Sequence, residues 1–124
     1  MEATLDKTSE QAPVAEAVKE IGEAEFEQAV LKASMPAVLD FYVADNEACK
    51  VLAPRFGAVA EKFAGKALFL RILKSKSTAL AEKLAVTEVP TLVFFKSGKE
   101  VGERLKGDAI QRTALKAAVE AMLK

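Results

Sequence analysis

Apolar positions change period several times along the chain, and each change marks an element. Val18 and Ile21 fit a short first strand, after which Phe26, Ala29, Val30 and Ala33 recur at helical spacing and predict a helix near 23–33. Ala37 to Val43 is a continuous apolar, β-branched and aromatic run bounded by Pro36 and by Asp45-Asn46, as suits a strand covered on both faces. From Asn46 to Phe63 the positions Cys49, Leu52, Phe56, Val59, Ala60 and Phe63 share one helical stripe. Pro54 lies inside that stripe and removes a backbone hydrogen bond, so a kink near Lys50 is expected.

Gly65 ends the helix, Ala67 to Leu73 predicts another strand, and Ser75 to Leu84 another helix with Ser77 or Thr78 as its N-cap. Thr91 to Phe95 reads as a strand, Ser97-Gly98-Lys99 as a tight turn, and Glu100 to Leu105 as the strand returning from it. A last helix opens at Asp108, with Gln111 three residues on in the manner of a capping box, and buries Ile110, Leu115, Ala118, Val119 and Met122. Residues 1–17 show no core-facing period and are expected to form a mobile tail, leaving 18–124 as one domain.

The order is therefore β-α-β-α-β-α-β-β-α. Strands that alternate with helices pair in parallel, whereas the last two, joined by a short turn, must be antiparallel. The expected α/β fold is a mixed central sheet of about four to five strands with helices on both faces.

Charge and composition narrow the chemistry. Eighteen basic and eighteen acidic residues cancel, which removes the long-range attraction nucleic-acid binders use on phosphates. The nearest basic patch, Arg71, Lys74 and Lys76, has no interleaved aromatic residue and reads as a solvated strand-to-helix edge. Nucleic acid is not an expected partner. No apolar run reaches the roughly 18 residues of a membrane-spanning helix, so no membrane partner is expected either. The N-terminus shows no secretory signal pattern, and a cytoplasmic location is the default. One cysteine excludes an internal disulfide, and the absence of histidine excludes imidazole metal sites and His-activated nucleophiles. Gly98-Lys99 lacks the remainder of a phosphate loop. Neither metal nor cofactor is expected.

A specific combination of segments remains: Pro36-Ala37-Val38-Leu39-Asp40-Phe41-Tyr42, then Asp45-Asn46-Glu47-Ala48-Cys49-Lys50, Pro54, Val89-Pro90-Thr91, and the turns at Gly98 and Gly107. In type, order and spacing these resemble the thioredoxin family over essentially the whole of 18–124, and the resemblance implies the thioredoxin fold. It also exposes a departure. Where the family carries the first cysteine of its two-cysteine redox motif, this chain has Asn46; only the second, Cys49, is present. An amide cannot attack a disulfide, so the family's exchange of attack and resolution cannot run on this chain alone.

Each position has a structural and a functional reading. Asn46 is a favoured N-cap residue and Glu47 complements the positive helix end. Cys49 is expected on the inner stripe, either as a small inert core residue or as the thiol of a single-cysteine oxidoreductase or redox sensor. Asp40, a carboxylate inside an apolar strand, is expected to have a raised pKa. The resemblance puts it beneath Cys49 as that thiol's proton acceptor; pairing with Arg71 or with internal water is the alternative. Val89-Pro90-Thr91 matches the family's cis-proline loop, implying a groove with Lys106 and Gly107 that accepts an extended peptide. The family's apolar rim is charged here, through Asp45, Glu47 and Glu88, with Ala48 in place of a motif proline. The leading expectation is a monomeric, non-catalytic binding or adaptor module that takes a protein or peptide between Asn46 and Pro90. The alternative is thiol-disulfide chemistry through Cys49.

Overall fold

The computed structural model describes residues 17–107 and 110–124. The expected tail therefore lies almost wholly outside the described residues, as does the capping position at Asp108. Six strands form one sheet: β1 (Val18–Ile21), β2 (Ala37–Tyr42), β3 (Leu68–Leu73), β4 (Thr91–Lys96), β5 (Lys99–Glu100) and β6 (Leu105–Lys106). Their order is β1-β3-β2-β4-β5, with β6 also on β4. β2 is central, parallel to β3 and antiparallel to β4. The α-helices are α1 (Glu47–Lys62), α2 (Thr78–Lys83) and α3 (Arg112–Leu123).

Alternation along the strands divides the core between two faces. Val38, Phe69, Leu92 and Phe94 pack with Leu52, Phe56, Val59 and Phe63 of α1 and with Leu115, Val119 and Met122 of α3. Leu39, Phe41, Leu70, Ile72, Val93 and Phe95 pack on the opposite side with Phe26, Val30, Leu80 and Val86. Asp40 falls between Leu39 and Phe41, so the two-residue period sends its side chain to the α1 face. α1 continues through Pro54.

Four local expectations change. The segment predicted as a helix at 23–33 is a 3₁₀ turn, Glu23–Glu25, followed by a π-helical stretch, Glu27–Leu31. Its buried stripe is present in Phe26 and Val30, but the amide of Lys32 bonds the carbonyl of Glu27, five residues back, at 2.9 Å and widens the last turn. The helix predicted at 75–84 shortens to α2 behind a 3₁₀ turn at Lys74–Lys76; Ser77 is its N-cap residue, but the side chain is buried and makes no capping bond.

The strand predicted at 100–105 is split. Between the pairs Phe95–Glu100 and Leu92–Leu105 the β4 strand advances three residues and its partner five. The surplus is absorbed by a bulge in which Gly102 has φ +69 and Arg104 clasps Glu100 at 2.8 and 3.0 Å. The last helix begins at Arg112 with Gln111 as its N-cap residue, and Ala118 is only partly buried.

Candidate functional site

The site is built where the end of β2, the start of α1 and the turn before β4 converge. Asn46 takes extended backbone angles, φ −117 and ψ 124, and its Oδ1 accepts the Cys49 amide at 2.9 Å. That bond satisfies one of the donors left free in a first helical turn. Glu47 follows in the turn and is exposed.

On the other wall, the Val89–Pro90 peptide is cis. Pro90 is buried, and its carbonyl accepts the Gly107 amide at 3.2 Å, which ties the loop to β6. Thr91, also buried, donates through Oγ1 to the Glu88 carbonyl at 2.8 Å. Lys106, paired with Thr91 in the ladder, reaches Glu88 at 3.7 Å. The walls enclose an open cleft of about 670 Å³ lined by Asn46, Glu47, Ala48, Val51, Glu88, Val89 and Gly107.

Cys49 lies elsewhere. It is 3% exposed and borders a separate cleft of about 320 Å³ together with Tyr42, Lys50, Ala53 and Arg71. Burial pushes its thiol pKa upward; a backbone hydrogen bond from Val43 opposes that, and the Asp40 charge adds to it. A raised pKa keeps the group as a thiol, the less nucleophilic form.

Asp40 is 1% exposed. Its Oδ2 accepts from Arg71 Nε at 3.3 Å, while Oδ1 has no partner among the described residues. Loss of hydration raises its pKa to about 7 despite Arg71, whose charge and hydrogen bond both pull it down. Arg71 is thus no solvated edge cation. Its guanidinium lies 3.7 Å from the centre of the Tyr42 ring, and Tyr42 Oη donates to Glu20 Oε2 at 2.7 Å. Burial, then the Glu20 contact, pushes the Tyr42 phenol up to about 12.

Glu20 and Asp40 flank Arg71 in one row of the sheet, since Arg71 is the register partner of both. Sequence reasoning missed Glu20 and Tyr42 because nothing in the local spacing indicates that β1 pairs with β3.

These elements, a central parallel pair, an antiparallel β4 entered through a cis proline, and a helix starting at the motif position, agree with the comparisons to known proteins. The thioredoxin family model matches residues 17–121. The chain belongs to the thioredoxin family. A chloroplastic thioredoxin X of Arabidopsis thaliana is 32% identical over 107 residues, covering 86% of this chain and 58% of its own length. The thioredoxin of Haemophilus influenzae is 31% identical over 98 residues, 79% of this chain and 90% of its own. That of Pseudomonas aeruginosa is 31% identical over 108 residues, 87% and 98% respectively. The chain thus spans little more than half of the Arabidopsis relative and nearly all of the two bacterial ones.

Set against the thioredoxin motif, the structure brings Asn46, Glu47, Ala48, Val89 and Gly107 into one cleft, with Lys106 at its edge, and leaves Asp45 and Cys49 outside its lining. Pro90 and Thr91 lie beneath it as buried supports. Among the described residues there is no group of three His, Cys, Asp or Glu side chains able to hold a metal ion, and no helix long and apolar enough to cross a membrane.

Proposed function

We propose that this thioredoxin-family protein is a binding module that takes an extended segment of a partner protein into the cleft between Asn46 and Val89, without disulfide-exchange turnover. One observation carries the reading: the amide and carbonyl of Val89, a residue lining the cleft, pair with no other backbone group among the described residues. An extended segment beside Val89 satisfies both through strand-like hydrogen bonds. Supporting it, the position facing Val89 across the cleft is an amide occupied in capping its own helix, and the one thiol is buried under a different surface. A reducing compartment such as the cytoplasm suits a protein with one free thiol.

The test is a titration of the isotope-labelled protein with an extended peptide, followed by amide chemical shifts. Shifts centred on Ala48, Val51 and Val89 support the reading, and insulin reduction above the dithiothreitol background overturns it. A second reading, a single-thiol oxidoreductase or redox sensor, is favoured by the cleft that reaches Cys49 beside Arg71 and Lys50. Treatment with glutathione disulfide tests it: a mass increase of one glutathione on the native protein supports it, and modification only after unfolding removes it.

A further inference from the structure

The charged side chains lining the cleft are both carboxylates. Glu47 stands in the first turn of α1 on one wall and Glu88 precedes the proline loop on the other. Between them the apolar lining is Ala48, Val51 and Val89. Val51 is 40% exposed and is the one large hydrophobic residue so exposed among the described residues. Two like charges beside an apolar lining repel an acidic occupant and attract a basic one.

Resting on the reading of this cleft as the peptide site, we propose that it selects an extended segment in which an arginine or lysine is flanked by apolar side chains. The basic group sits between Glu47 and Glu88, and an apolar neighbour covers Val51 and Ala48. The side chains of an extended segment alternate in direction, so its backbone can run along Val89 while every second residue enters the cleft.

The ion pair between Lys106 and Glu88 marks how the cation is received. It is 3.7 Å long between side chains 57% and 49% exposed, the type of surface pair that contributes little and exchanges readily. A partner's guanidinium, able to make two parallel charge-assisted hydrogen bonds to one carboxylate, displaces the lysine and gains in geometry. Lys106 is thus an internal competitor for the acidic wall.

The experiment uses three fluorescein-labelled peptides of about eight residues with a common alternating valine and threonine core and a central arginine, glutamine or glutamate, read by fluorescence anisotropy. On the native chain the arginine peptide binds on the order of fivefold more tightly than the glutamine peptide, and the glutamate peptide binds weakest. That ratio falls toward one in about 1 M salt, where the screening length is about 3 Å. Glu88→Gln reduces the arginine-to-glutamine ratio, and Lys106→Met increases it.

Equal affinity for the arginine and glutamine peptides overturns the charge selection while leaving the cleft reading intact. So does a ratio that neither substitution changes. If no peptide binds and no amide in the cleft shifts, the cleft reading fails and the selection with it. Both substitutions are at exposed positions, so circular dichroism separates loss of fold from loss of selectivity.

Discussion

Asp40 and Arg71 face each other across the parallel β2–β3 ladder, with Arg71 Nε 3.3 Å from Asp40 Oδ2. The pair is unequal: the carboxyl is buried with one oxygen that has no partner among the described residues, while the guanidinium keeps part of its surface and leans on Tyr42. Removing a carboxylate from water costs more than one cation at that distance returns, so the acid is held near pKa 7 rather than at its ordinary 3.8.

The native state therefore binds this proton more tightly than the unfolded chain does. The stabilisation linked to it is complete below about pH 3.8, declines as pH rises, and is gone above about pH 7. The span corresponds to roughly 4 kcal/mol. Asp40→Asn should flatten that decline and gain on the order of 2 kcal/mol at pH 8, the remainder being offset by loss of the ion pair with Arg71. Urea unfolding of both proteins at pH 5 and pH 8 measures it, and parallel pH profiles would exclude Asp40 as the source.

Arg71→Met should act in the opposite sense. It keeps most of the stem over Tyr42 but removes the cation that pulls the Asp40 pKa down, so the acid is harder still to ionise. The variant should lose about 1–2 kcal/mol more at pH 8 than at pH 5, and it is the pH difference, not the total, that reports on the pair.

The Asn46 side chain caps α1 through a 2.9 Å bond to the Cys49 amide. Asn46→Ala should cost about 1 kcal/mol in unfolding free energy, and Asn46→Asp should recover most of it, since a carboxylate both caps and complements the helix dipole. If alanine proves neutral, water serves the free amide as well as the side chain does.

How far the sequence reaches follows from where information is local. The apolar runs at 37–43 and 91–95 and the stripe from Cys49 to Phe63 placed β2, β4 and α1 nearly to the residue, because burial on two faces, or on one stripe, leaves a period that survives in any context. The 23–33 segment is helical but not a regular α-helix, because Phe26 and Val30 fix only its inner face and leave the winding between them open. The 100–105 strand failed because Val101 and Leu105 look like one strand's inner face, whereas Gly102 and the Glu100–Arg104 pair divide it into two short ladders. The raised pKa of Asp40 was legible from a charge in an apolar run. Pairing with Arg71 is one of the readings the sequence offers for it, and the structure has that contact; the further placing of Tyr42 and Glu20 around Arg71 was not legible, because it depends on which strands become neighbours.

Cys49 is nearly fully buried, and burial both blocks access to the thiol and raises its pKa. Labelling of the native protein by an aromatic disulfide reagent at pH 8 should be slower than that of an unfolded control by two or more orders of magnitude. Its rate should track urea in the same way as local opening of the α1 start. Fast native labelling would show that the cleft bordered by Lys50 and Arg71 admits reagents, and would favour the single-thiol reading.

The last prediction concerns what the asparagine displaced. Positions 46 and 49 are three apart at the start of one helix, close enough on its surface for side chains to meet, and the free amides and dipole there favour an anion. In Asn46→Cys the new thiol attacks a substrate disulfide sulfur as thiolate, forming a mixed disulfide and releasing one substrate thiol. Cys49 then attacks that mixed disulfide, frees the second substrate thiol and leaves an internal disulfide, which dithiothreitol reduces. Cys49 must lose a proton for the second step. The proposal is that Asp40, which strand alternation puts on the α1 face and whose pKa is raised to about 7, takes it. The variant should therefore reduce insulin measurably where the native chain does not, with a rate that rises through pH 7, and the double variant Asn46→Cys/Asp40→Asn should lose most of that gain. A folded Asn46→Cys protein that stays inactive would mean that the acidic rim of Glu47 and Glu88 excludes insulin, and the arginine-bearing peptide as a mixed disulfide would then be the substrate to try.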